Sequence, residues 1–152
     1  LAMTDSLDNL RRRGRLSALW TFVTLNLLFR DVHEVFEPGV LADLAGGALG
    51  GSPLAPWLAL AGGAVVEIPV AMVVLSRVLP WGALRAATSV AAALGVTALA
   101  ASSAVWDPDD AFFAAMQGLG HAAILWTALS PLPAPRPGLR LRAASRVGVA
   151  EV

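Results

Sequence analysis

The stretch LNLLFRDVHEVFEPG, Leu25 to Gly39, decides how this chain is read. An apolar run enters it, and five ionisable residues follow within eight positions: Arg30, Asp31, His33, Glu34 and Glu37. Charge that close to a bilayer core is costly and has to be paired or used. Traced back to Leu16, the stretch is the outer end of a membrane helix over about 16–36, apolar to Phe29 and polar beyond. Pro38 and Gly39 end it, since neither continues a helix.

The surrounding composition agrees. Of 152 residues, 57% are hydrophobic and 14% charged, and the mean hydropathy is +0.67. These values place the chain in the membrane class, as a single domain. The net charge is zero, so nothing points to nucleic acid. The absence of cysteine removes disulfides, thiolate metal sites and thiol redox chemistry.

Three further spans follow, over about 57–79, 81–106 and 111–132. The second holds Glu67 near its middle and Pro69 just beyond, where a kink frees a carbonyl. Ala83, Ala87, Ala91 and Gly95 give the third a smooth face for close packing, and Ala114, Gly118 and Ala122 give the fourth another. Thr88, Ser89 and Thr97 can bond their own backbone carbonyls. The Gly-rich connection 40–56 reads equally as a loop or as a short interfacial helix carrying Val40, Leu41, Leu44 and Leu49. Residues 1–15 form a basic cytoplasmic segment, and residues 133–152 a Pro/Arg-rich cytoplasmic tail. A cleaved signal is the alternative reading of the start, against which stand the acidic, aromatic exit and the lack of a small-x-small site; the double Arg also hints at a twin-arginine signal, which the flanking residues fit poorly.

Orientation follows from charge. With four spans, Arg11, Arg12, Arg13, Arg15, Arg77, Arg85, Arg136, Arg140, Arg142 and Arg146 share one side. Asp31, Glu34, Glu37, Asp43, Asp107, Asp109 and Asp110 share the other, with only Arg30 against them. The positive-inside rule puts both termini in the cytoplasm and the protein in the plasma (inner) membrane. Trp57, Trp81 and Trp106 fall at span ends and Trp20 about one turn inside, where such rings anchor at headgroups. The expected fold is therefore all-α, a four-helix transmembrane bundle. Its partners are the bilayer, anionic lipid at the Arg-rich face, and either a second copy or a membrane subunit.

Several short motifs in fixed order carry a family likeness. They are Leu16-Ser17-Ala18-Leu19-Trp20, Asp31 near the end of the first helix, Pro38-Gly39, Ser52-Pro53, Ile68-Pro69, Leu75-Ser76 and Trp81. In these the chain resembles a family of uncharacterised small four-helix bacterial integral membrane proteins, a domain of unknown function, over roughly residues 16–130. The resemblance implies a four-helix membrane protein and no activity. Arg30, where a small residue commonly precedes the Asp, and Glu67 depart from its pattern.

The polar residues inside the spans are the candidate site. At a rise of about 1.5 Å per residue, Asn26, Glu67 and His121 fall near one depth, with Arg30 and Gln117 a turn or so above. Asn26, Arg30, His33, Glu34 and Glu37 share a stripe on the first helix, and Gln117 and His121 share a face on the fourth. The expectation is a buried cluster of Asn26, Glu67 and His121 capped by Arg30 and Gln117, with Asp31 at its mouth. Each member also has a plainer role. Arg30 can pair with Glu34 or snorkel to lipid phosphate, Asn26 can tie helices together, and His121 can be a satisfied core residue. Glu67 needs a proton or a partner, Arg30 or His121.

Three functions compete on this reading: small-solute or proton/cation transport through the cluster, an accessory subunit of a larger membrane assembly, and a membrane enzyme or cofactor carrier. The last has least support. No nucleophile–base–orienter set is visible, His33 and His121 sit at depths that do not suit paired haem ligation, and no cofactor is specified.

Overall fold

The computed structural model describes residues 2–49, 52–101 and 108–131. It is almost entirely helical: α1 (Ala2–Val35), α2 (Val40–Ala45), α3 (Pro56–Val78), α4 (Trp81–Ala101) and α5 (Pro108–Leu129). A two-residue antiparallel pair, β1 (Ala48–Leu49) with β2 (Ser52–Pro53), follows α2. Three of these helices are long and apolar enough to cross a membrane: α3 from Leu60, α4 and α5.

α1 is longer than the sequence reading has it. It starts at Ala2, not Leu16, and carries the arginine run inside the helix. Its 34 residues reach about 50 Å, well over a bilayer core. Its apolar part, Leu16–Phe29, is short and bounded by Arg15 and Arg30. Past Val35 the chain reverses at Gly39, whose φ of 95° suits glycine. The connection holds a six-residue helix with Val40, Leu41 and Leu44, then turns, while Leu49 falls in β1 and not in that helix. The tail 133–152 and Trp106 lie outside the described residues.

The long helices pack in a ring, α1 on α3, α3 on α4, α4 on α5 and α5 on α1. The core joins Leu16, Trp20 and Val23 of α1 to Met72 of α3, Leu84, Ala91 and Ala92 of α4, and Ile124 and Ala128 of α5. Glycine makes one contact possible: a Cβ on Gly120 would come 2.8 Å from Val23 and 3.2 Å from Phe22. This closes α5 onto α1. Of the expected small face through Ala114, Gly118 and Ala122, Ala114 is buried, but a Cβ on Gly118 would meet open space and Ala122 is exposed. Trp20 is also not a headgroup anchor; it is 1% exposed in the core.

The two ends of the bundle are held by different chemistry. At one end the arginines of α1 reach the last carbonyls of two other helices. Arg12 donates to Ser130 O at 2.7 Å and to Pro131 O, past α5. Arg13 donates to Leu79 O at 2.6 Å and Arg77 O at 3.3 Å, closing α3. Helix C-termini carry unpaired carbonyls and a partial negative charge, and guanidinium answers both. Arg12 also lies over the Trp81 ring at 5.7 Å, the start of α4. At the other end Arg30 bonds Asp110 Oδ1 at 3.0 Å and Glu34 Oε1 at 3.0 Å. His33 meets Asp109 at 2.8 Å. Asp109 and Asp110 lie in the first turn of α5, where the helix dipole favours acids.

Candidate functional site

The core is dense toward the arginine end, around Leu16, Leu84, Ile124 and Ala128, which are all 0% exposed. From the level of Trp20, Ala91 and His121 it opens into a cavity of about 290 Å³ lined by all four long helices. α1 contributes Trp20, Val23 and Leu27; α3 contributes Val65, Ile68 and Pro69. α4 supplies a wall of small and apolar residues from Ala91 to Ala101, and α5 supplies Gln117 and His121.

Sequence explains each wall. On α3, Pro69 has no N–H to give the Val65 carbonyl, which drops out of the helical ladder on the stretch that lines the cavity. On α4, Gly95 leaves room for the imidazole, since a Cβ there would collide with His121 Nε2. On α5, Gln117 and His121 are one turn apart and both buried, at 5% and 2% exposure.

The polar groups of this cavity are few and underused. His121 Nδ1 lies 2.8 Å from Gln117 O. A carbonyl only accepts, so Nδ1 carries the proton and Nε2 presents its lone pair. No partner for Nε2 is found among the described residues. The Trp20 and His121 rings meet edge to face, with centroids 5.9 Å apart. Trp20 Nε1 and Gln117 Oε1 are both buried without a hydrogen-bond partner. Such groups cost about 1–3 kcal/mol each when left unpaired. Thr97 also lines the wall but bonds Ala93 O at 2.9 Å.

The predicted cluster is only partly assembled. Gln117 and His121 come together, and Asn26 is buried with Oδ1 unpaired. Asn26 lines a separate groove with His33, Phe113 and Met116, between α1 and α5. Glu67 does not join them. It is exposed on α3, while Pro69, Met72 and Ser76 mark that helix's buried side. At about 100° per residue, Glu67 points roughly 170° away from the centre of that side. Arg30 turns neither to Glu67 nor outward; its side chain is 13% exposed between Asp110 and Glu34. Asp31 is exposed beside it.

Sequence reasoning missed Trp20 and Gly95. The heptad of α1 that buries Leu16 and Val23 also buries Trp20, and that spacing was the available signal. Thr97 back-bonds as expected, but Thr88 does not: it is fully buried and its hydroxyl has no partner.

The chain matches a family of unknown function, DUF6326, over residues 6–114. It belongs to that family. The match takes in α1 to α4 and the first turns of α5, and ends just before Gln117 and His121. No characterised protein and no solved structure matches the chain.

Proposed function

We propose that this protein crosses the plasma membrane four times, with both termini cytoplasmic, and binds a small, largely apolar solute in its central cavity. The observation that carries the reading is a cavity lined by four helices with three unfulfilled polar atoms, Trp20 Nε1, Gln117 Oε1 and His121 Nε2. Apolar walls with a few convergent polar groups are the usual form of a small-molecule site. One donor and two acceptors suit a hydroxyl, which both donates and accepts. The described lining holds no carboxylate, so a neutral solute fits it better than a cation.

The four-span reading rests on α1. Arg12 and Arg30 stand 18 positions apart, about 27 Å along the helix, close to a hydrocarbon core. The arginines at one end and the acids at the other support the cytoplasmic placement of the termini. Solute transport is the wider form of the proposal, and it requires the packed layer of Leu16, Leu84, Ile124 and Ala128 to open.

The test uses protein in nanodiscs titrated with 4-hexylphenol, read by tryptophan emission with Trp20→Phe as the control for the responding ring. Saturable binding is expected, weakened about tenfold by His121→Leu through loss of one hydrogen bond. Ala98→Leu, which fills the cavity, abolishes it. Non-saturable uptake, the same in wild type and Ala98→Leu, would end the proposal.

A further inference from the structure

Glu67 is a carboxyl with no hydrogen bond or ion pair among the described residues. It lies near the middle of the Leu60–Val78 span and faces away from every other helix of the chain. Ionisable groups at that depth ordinarily face protein or a water-filled cavity, because lipid offers them nothing. The surface around it is patterned. Leu60, Gly63, Glu67, Val70 and Val74 are all exposed and recur at intervals of 3, 4, 3 and 4. That is the spacing of a left-handed helix seam. α3 is also the least covered of the three spans, with 17% of it buried against 22% for α4 and 33% for α5.

We propose that this face of α3 is a homodimer seam, on which the two Glu67 carboxyls meet at the two-fold axis. Two copies inserted with the same orientation are related by an axis along the membrane normal, so residues at equal depth face each other. A group on the seam then meets its own copy. A carboxylic acid both donates and accepts, so two of them satisfy each other where lipid can do neither. Gly63, one turn away, carries no side chain and has open space around it, which lets the two backbones approach. One polar residue at a seam position fixes register and copy number, and Glu67 is the only polar residue among these five. The dimer contact falls on α3 and not on the small-residue faces of α4 or α5.

The chain has no cysteine, so single cysteines report cleanly. The full chain in liposomes at low density is oxidised with copper phenanthroline. Gly63→Cys, Val70→Cys and Val74→Cys are compared with Val90→Cys on α4 and Leu119→Cys on α5, both exposed. Covalent dimers are expected from the first three and not from the last two. Glu67→Leu lowers that yield about tenfold, as expected for loss of interhelical hydrogen bonds in a bilayer, while Glu67→Gln keeps most of it. Unchanged thermal melting of each variant establishes folding. Yields at the seam no higher than at Val90 or Leu119 would overturn the dimer. Dimers insensitive to Glu67→Leu would overturn the role of the carboxyl. Adducts with a different protein in native membranes, without dimers of the purified chain, would replace the second copy by a heterologous partner.

Discussion

Arg30 of α1 holds Asp110 of α5 at 3.0 Å, with the arginine side chain only 13% exposed. The contact joins residues 80 positions apart and sits at the first turn of α5, where it answers the buried charge that the sequence leaves open. Arg30→Met leaves Asp110 and Glu34 facing each other without their shared cation. Removing one partner of a pair this sheltered is expected to cost about 2–4 kcal/mol, read as a drop in thermal midpoint in detergent. Arg30→Met with Asp110→Asn should recover much of that loss. Salt should matter little, because partly buried pairs are weakly screened. Equal melting of Arg30→Met and wild type would show that the pair is incidental.

Gly95 and His121 form a second coupled pair, since the imidazole occupies the space a Cβ would need. Gly95→Ala is expected to destabilise by about 1–3 kcal/mol through overpacking. In a His121→Ala background the same substitution should cost close to nothing, because the colliding ring is gone. Additive costs in the double variant would disprove the coupling.

The arginines of α1 act as detached caps for α3 and α5. Arg13→Gln should loosen the last turn of α3, and Arg12→Gln that of α5. Each should lose about 1 kcal/mol, seen as roughly fivefold faster amide exchange confined to those turns. If exchange rises evenly along the chain, the arginines serve the bundle as a whole and not these ends.

Much of the helical architecture was legible because apolar runs and Pro/Gly breaks are local signals. Pro38–Gly39, Pro80 and Pro108 all stand at the boundaries expected of them. Depth was legible only in part: His121 meets Trp20, while Asn26 lines the separate groove with Phe113 and Met116, more than a turn further along α1. Azimuth was the missing coordinate. Glu67 belongs to the opposite side of α3 from Pro69, Met72 and Ser76, and only packing says which side turns inward. The N-terminal extent of α1 was hidden for a related reason. Residues 2–15 look like a soluble segment until Arg12 and Arg13 are seen bonded to carbonyls about 120 and 65 positions away.

The distribution of ties around the ring has a mechanical outcome. α1 and α5 are bolted together at both ends, by Arg12 to Ser130 and by Arg30 to Asp110. α3 is tied to α1 at the arginine end, by Arg13 to Leu79. The molecule therefore resembles a frame whose α1–α5 joint is pinned at two points and whose α1–α3 joint, packed along its length, is pinned at the arginine end alone.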